Sequence, residues 1–454
     1  MIAGFKPYPK YIASGLQWLG NVPAHWQLLR LGVVLQERKE INEYGEITHV
    51  LSVVKTRGVI PYEEKGNIGN KKSDNITRYK IVRPGDIVIN SMNVIIGSSG
   101  LSKYTGCLSP VYYVLRHRME SANAYYLAAI FQNPSFYRRL IRLGNGILSF
   151  RMRIPMELLK CEVIPLPPAS EQAAIVYFLG KTVTKIESII AAKEKIIALL
   201  EEQKRAVIRH TITRGLDLSV ALKPSGSLFI GDIPTHWETK RLGALGYFSA
   251  SGIDKIIVAG EPKVKMINYL DIYNNDSYSL SQNNNYMIVS CPHWKKEIHA
   301  AQKGDMFFTP SSETAAEIGL SAVAIEDMHD TVYSYHVIRF RPAIKMYLPY
   351  QKYWCNNLAV MNQFSFLCKG TTRKIINRGE FRSVIVPVPP YKEQIAIAEY
   401  LDNMMTKINA AAKCAHREIT LLREYRNSLV ANAVTGKIDV RNFAAYSRKS
   451  KKRL

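Results

Sequence analysis

Acidic residues are scarce in this chain of 454 residues: 37 Asp and Glu face 61 Lys and Arg, a formal charge of +24. A surface with that excess gathers polyanions around it, which argues for nucleic acid as the partner. An acidic membrane would attract the same charge, but no uninterrupted apolar stretch approaches the ~20 residues that span a bilayer. There is no lipidation signal either. Residues 1–20, broken by Pro7, Pro9 and Lys10, hold no apolar core of the secretory kind. A cytoplasmic protein with no membrane partner is expected. Paired cysteines are missing as well: Cys107, Cys161, Cys291, Cys355, Cys368 and Cys414 stand far apart without any Cys-x-x-Cys spacing. Neither a zinc site nor a disulfide framework is indicated, and reduced thiols are expected. Hydrophobic residues, at 47%, are ample for two or three domains with cores of their own.

What the chain has instead is a repeat of itself, and a long-period repeat decides architecture before local propensity does. Leu166-Pro167-Pro168-Ala169-Ser170-Glu171-Gln172 recurs as Val388-Pro389-Pro390-Tyr391-Lys392-Glu393-Gln394, an offset of 222. The same offset pairs Leu179 with Leu401, Lys185-Ile186 with Lys407-Ile408, and Asp217 with Asp439. Upstream, Pro23-Ala24-His25-Trp26 with Arg30-Leu31-Gly32 recurs as Pro234-Thr235-His236-Trp237 with Arg241-Leu242-Gly243, here at an offset of 211. The difference of 11 residues is extra length in the second copy, in the region where the copies diverge most. The order is variable module, shared helix, variable module, shared helix.

After each proline pair the pattern turns helical, since proline is tolerated only ahead of the first turn. Ile175, Leu179, Ile186, Ile189, Ile196, Leu200 and Val207 alternate by about three and four, as a coiled-coil seam requires. Their matches are Ile397, Leu401, Ile408, Ala411, Glu418, Leu422 and Leu429. A helix of ~45 residues is roughly 65 Å long, and two such helices can pair antiparallel about a pseudo-twofold axis. The fold class expected is α+β: two mixed α/β modules separated by two long antiparallel helices, a coiled-coil-like spacer. The modules show strand-like runs at Asp86-Ile87-Val88-Ile89 and Val111-Tyr112-Tyr113-Val114-Leu115, with a helical stretch over residues 124–140. Bases and aromatics interleave in both, and such loops can contact phosphates and groove edges. The candidate DNA contacts are Lys55, Arg57, Lys71, Lys72, Arg78, Arg151, Arg153, Lys295, Lys296, Arg373 and Lys374.

Catalytic signatures lack their essential parts. Gly180-Lys181-Thr182 imitates the end of a phosphate-binding loop, but the earlier glycine such a loop requires would fall at Ile175. Asn133-Pro134-Ser135-Phe136 resembles the base-holding element of amino-methyltransferases without its second proline, and Asn356-Asn357-Leu358-Ala359 does not keep the pattern; a helix-ending turn is expected. Glu63-Glu64-Lys65 lacks the upstream Pro-Asp of a nuclease motif and reads as solvated charge. His25 and His236 have no nucleophile or metal-ligand cluster beside them. Each is expected to make a local hydrogen bond next to a buried tryptophan. No catalytic residue and no metal ligand emerges.

Pro-x-His-Trp with Arg-Leu-Gly, then Ile164-Pro165-Leu166-Pro167-Pro168 or Val386-Pro387-Val388-Pro389-Pro390 with Glu-Gln and a long helix, all present twice, resembles the specificity subunits of type I restriction-modification systems. The resemblance covers nearly the whole chain. It implies a non-catalytic subunit whose modules are target recognition domains, each reading half of a bipartite sequence in double-stranded DNA. The implied layout is a first recognition domain at 1–165, a spacer helix at 166–217, a second recognition domain at 218–387, a second spacer helix at 388–441 and a basic tail at 442–454. The helices would hold two methyltransferase subunits, through Pro168, Glu171, Gln172, Ile175, Leu179, Ile186 and Leu200 and through Pro390, Glu393, Gln394, Ile397, Leu401, Ile408 and Leu422. S-adenosylmethionine would sit on those subunits, and ATP and Mg on separate restriction motor-nuclease subunits, with no cofactor on this chain. If both modules approach one face of the duplex, the half-site centres lie about 10 base pairs apart. Gly180, matched by Asp402, departs from the pattern and puts local helix straightness in question. The alternatives are the recognition subunit of a type II-like system, a nonspecific nucleic-acid-binding scaffold, and a self-sufficient methyltransferase.

Overall fold

The computed structural model describes residues 5–55, 57–66, 71–92, 97–144 and 153–443. Two helices dominate, Ala169–Arg214 and Tyr391–Val434, of 46 and 44 residues. Each starts directly after its proline pair, whose carbonyl takes up N–H groups of the first turn that have no partner within the helix. Glu171 and Gln172 N–H donate to the Pro168 carbonyl at 2.9 and 3.0 Å, and Glu393 and Gln394 to the Pro390 carbonyl at the same distances. Gly180 lies inside continuous helix, so the missing side chain does not break it.

Contacts divide the chain into two compact units, Met1–Glu194 with His416–Leu454, and Lys195–Ala415. Each unit joins one module to the front part of its own helix and the rear part of the other, a partition that cuts across the linear order of modules and helices. Within each unit the two helix parts run antiparallel. In the first, Glu187 pairs with Arg426, Lys193 with Glu418, and Glu194 with Arg423 at 2.9 Å. In the second, Lys204 Nζ donates to Asn409 Oδ1 at 3.4 Å, and Ile208 and Ile212 share a core with Ile397, Leu401, Met405 and Ile408. The seam runs one residue out of the expected register over part of its length. Ile189 and Ile196 are 36% and 48% exposed while Ile190 is buried. In the second helix Ala412 and Ile419 are buried, and Ala411 is exposed.

In the first unit the module is built on a four-stranded antiparallel sheet in the order Leu35–Glu37, Tyr112–His117, Ile87–Asn90, Ser99–Leu101. A hairpin, Leu51–Val54 with Gly58–Pro61, packs over it, and Leu51, Val53, Val59, Val88 and Val114 form the core between them. The approach is close enough to require glycine: a Cβ on Gly100 would stand 2.6 Å from Gly58 Cα. The expected helix over 124–140 is two, Ala124–Gln132 and Pro134–Leu140, because Pro134 cannot donate inside a helix. Asn133 ends the first helix and caps the second by accepting from Ser135 N–H at 2.9 Å.

The second unit's module is larger. Its main sheet has five strands, in the order Gly246–Ala250, Ile338–Pro342, Met306–Phe308, Ser321–Ala324, Ser279–Leu280, with only the last pair parallel. A further sheet of Met287–Ser290, Lys263–Ile267 and Thr331–Tyr333 lies beside it. Phe308, Phe340, Phe364 and Phe381 fill the core. In both units the strand that opens the module pairs antiparallel with the strand that leaves it: Gln27–Arg30 with Val163–Leu166, and Glu238–Arg241 with Ile385–Val388.

Candidate functional site

The repeated motifs meet in space, once in each unit, as a clamp between module and helix. His25 Nε2 lies 2.7 Å from Glu171 Oε1, and Trp26 Nε1 donates to Glu171 Oε2 at 3.0 Å. The second copy repeats this with His236 at 2.6 Å and Trp237 at 3.0 Å from the two oxygens of Glu393. The neighbouring glutamine grips the rest of the module. Gln172 Oε1 accepts from Asn123 N–H at 2.8 Å while its Nε2 donates to the Pro167 carbonyl at 2.8 Å; Gln394 does the same with Tyr347 N–H and the Pro389 carbonyl, both at 2.9 Å. A buried aromatic from each module's helical part closes the strand that leaves it. Tyr126 hydroxyl donates to the Pro165 carbonyl at 2.9 Å, and Trp354 Nε1 to the Pro387 carbonyl at 2.8 Å. Glu171, Gln172 and Gln394 therefore spend their hydrogen bonds inside the fold.

The two clamps differ in shielding. In the first unit Arg441 reaches to 3.8 Å from Glu171 and lies over the Tyr8 ring at 5.0 Å, leaving the Glu171 side chain 9% exposed. Among the described residues none covers Glu393 in this way, and its side chain is 38% exposed. Asp439 N–H donates to the Lys6 carbonyl at 2.8 Å, tying the two ends of the chain together. Burial alone would raise the Asp439 carboxyl, but the hydrogen bonds from Arg441 hold it below the usual aspartate value.

The candidate DNA contacts fall in both modules. In the first, Lys55 and Arg57 stand at the hairpin turn, and Arg57 binds Glu64 at 3.0 Å. Lys72 N–H donates to the Tyr62 hydroxyl at 2.8 Å and its ammonium lies 5.6 Å from that ring. Lys71, Arg78 and Arg153 are exposed; Arg151 lies outside the described residues. Glu63 and Glu64 form exposed ion pairs with Lys72 and Arg57. In the second module Lys295 and Lys296 stand on the helix His293–His299, where Lys295 donates to the Gly252 carbonyl at 2.9 Å and Lys296 pairs with Asp330. Arg373 donates to Ser311 Oγ at 3.1 Å with its guanidinium 5.9 Å from the Tyr269 ring, and Lys374 donates to the Gly370 carbonyl at 2.7 Å.

The segment after Gly252 links these two places, because Ile253 accepts from Tyr335 N–H at 3.1 Å and the Tyr335 and His336 rings lie 3.9 Å apart. Burial, followed by Lys255 and Arg373, holds the His336 imidazole below its usual value. Tyr269, Tyr335, His336 and Lys255 thus belong to a mixed basic and aromatic surface that sequence reasoning missed. Their separation along the chain gave no signal.

Beneath Lys295 and Lys296 lies a buried polar network. His299 Nδ1 is 3.0 Å from the Tyr333 hydroxyl, which is 2.8 Å from Ser249 Oγ; Arg339 donates to that same Ser249 Oγ at 3.1 Å and to the Ala300 carbonyl at 3.1 Å. Burial, then Arg339 and Lys295, depress the His299 pKa. The unfolded chain therefore binds a proton that the folded one refuses, so stability rises with pH. The contribution is whole above about pH 6.5 and is lost below it, by up to ~1.4 kcal/mol per pH unit until the folded pKa is reached. Urea titrations of the native chain and His299→Gln from pH 7.5 to 5.5 check this. The native chain should lose more stability on acidification than the variant, and parallel curves would remove His299 as the cause.

The comparisons with known proteins agree with this geometry. The family described as the type I restriction modification DNA specificity domain matches residues 234–415. A putative type I restriction enzyme specificity subunit, MjaX, of Methanocaldococcus jannaschii is 23% identical, covering 93% of this chain and 96% of the relative. A chain solved in work on complex assembly and conformational transition of the type I R-M system superposes with a TM-score of 0.69 at 16% identity, covering 92% of this chain and 99% of its own. The HsdS subunit from Thermoanaerobacter tengcongensis gives 0.51 at 16% identity, over 92% and 98%. Residues 234–415 thus match the type I restriction modification DNA specificity domain, and along nearly its whole length the chain is similar to a putative specificity subunit of a type I restriction enzyme.

Proposed function

We propose that this chain is the non-catalytic recognition subunit of a type I restriction-modification complex, reading a bipartite target in double-stranded DNA. The observation that carries the reading is the clamp built twice: the same His, Trp, Glu and Gln contacts mount two modules of different sheet architecture on matched helices. Equal mounts with unequal modules suit two different half-sites read in a fixed relation. The basic and aromatic groups around Tyr62 and around Arg373 supply phosphate and base-edge contacts. The long helices hold two methyltransferase subunits, which carry S-adenosylmethionine, and motor-nuclease subunits bring ATP and Mg. This chain binds no cofactor.

The test is to express the chain with its methyltransferase partner and map methylated adenines. A single two-part motif is expected. Replacing residues 33–150 by the corresponding module of a related subunit should change one half of that motif only. If both halves changed, independent reading by the modules would be refuted. Uniform DNA affinity that falls steeply with salt, without a motif, would instead identify a nonspecific scaffold.

A further inference from the structure

The last turns of the first long helix carry a basic face that the second long helix does not repeat. In the second unit Arg205, Arg209, His210 and Arg214 line an open cleft bounded by Ile230 and Leu358. Arg214 leans towards Asp232 at 3.8 Å. Arg205 and Arg209 are exposed, and Glu202 is the single carboxylate in the lining. At the offset of 222 the second helix and its end carry Asn427, Ala431, Asn432 and Gly436 in these places.

We propose that this cleft holds phosphates of the DNA backbone beside the half-site read by the second module. The inference rests on the function proposed above and adds a site to it. A partner present in two copies needs a surface that recurs in both halves of the chain, as the clamp does. This face occurs once, so its ligand is one that the assembly holds once. The ligand is also anionic: the guanidinium fork matches phosphate oxygens with two parallel donors. Arg205 and Arg209 stand one turn apart on the helix, about 6 Å between their Cβ atoms, and their long side chains reach neighbouring phosphates together.

The experiment uses Arg205→Gln/Arg209→Gln in the full chain assembled with methyltransferase subunits. It measures anisotropy on the target duplex and on a scrambled duplex between about 50 and 200 mM salt, the range over which phosphate contacts act most visibly. The affinities for both duplexes should fall by the same factor. The slope of log K against log salt should become shallower by about 1.8, two contacts at about 0.9 each, with the mass of the complex unchanged. Arg205→Gln alone, with half that change in slope, serves if the double variant folds poorly. An unchanged slope with unchanged affinities would make the face solvated charge and overturn the proposal. Loss of the methyltransferase at an unchanged slope would assign the face to an acidic protein and overturn it equally. If the native complex shows no preference for its target, the recognition reading fails, while the change in slope still reports on the cleft.

Discussion

Trp237→Ala is expected to destabilise the second unit by about 3–5 kcal/mol, the range for deleting a large buried aromatic. Trp237 is fully buried, donates to Glu393, and packs against the turn after the first long helix, where a Cβ on Gly215 would meet its ring at 3.2 Å. Gly215 has a φ of +73° there, a conformation that glycine adopts without strain and that lets the turn lie close against the indole. Trp26→Ala should cost the first unit a similar amount, since Gly436, at φ +69°, holds the same relation to the Trp26 ring. The glutamates should behave unequally. Glu171→Ala strands the indole N–H in a shielded place, at about 1.5–3 kcal/mol for hydrogen bonds to a charged group. Glu393→Ala, whose site is open to water, should cost less. Urea unfolding followed by tryptophan fluorescence and far-ultraviolet circular dichroism measures all four. A loss under about 1 kcal/mol for Trp237→Ala would show that the clamp is not what mounts the module.

The clamp also shows where sequence reasoning reaches and where it stops. Duplication exposed the Pro-x-His-Trp and Pro-Pro-x-x-Glu-Gln signatures as a pair, and the buried tryptophan and hydrogen-bonded histidine follow from them. That the histidine's partner is the helix's own glutamate does not, because the two lie 146 residues apart. The helices were legible for their length and lack of breakers, but the seam was not fully so. Adjacent isoleucines at 189–190 and 196–197 both satisfy spacings of three and four. Only the opposing helix decides between them, and it buries Ile190. For the same reason periodicity shows that a face is covered without showing by what, so the division of each helix between two units was invisible. Inside the modules, Pro134 signalled a break that hydrophobic content concealed. The meeting of Arg373, Tyr269 and His336 depends on strand order, which no local pattern encodes.

On the proposed reading of two half-sites, inserting one heptad into each long helix, after Ile190 and after Arg423, is expected to lengthen the gap between them by about 3 base pairs and leave both half-site sequences unchanged. Seven residues add about 10 Å of helix at 1.5 Å per residue, and duplex DNA rises about 3.4 Å per step. Seven is also the insertion that preserves the seam, because a stripe alternating by three and four returns to its own face after a heptad. The two points belong together, since Glu187 and Glu194 on either side of Ile190 pair with Arg426 and Arg423. An insertion in one helix alone leaves a heptad without its opposite, and should lower stability without producing a new spacing. Three added base pairs also turn one half-site by roughly 100° about the duplex axis, at 10–10.5 base pairs per turn. Restoring its approach then twists or bends the duplex at a cost of order 1–6 kcal/mol. Affinity should therefore fall even as the motif lengthens, which makes mapped methylation rather than a binding constant the decisive readout. A motif with its original gap, methylated by a folded double-insertion variant, would remove the helices as the element that sets the distance.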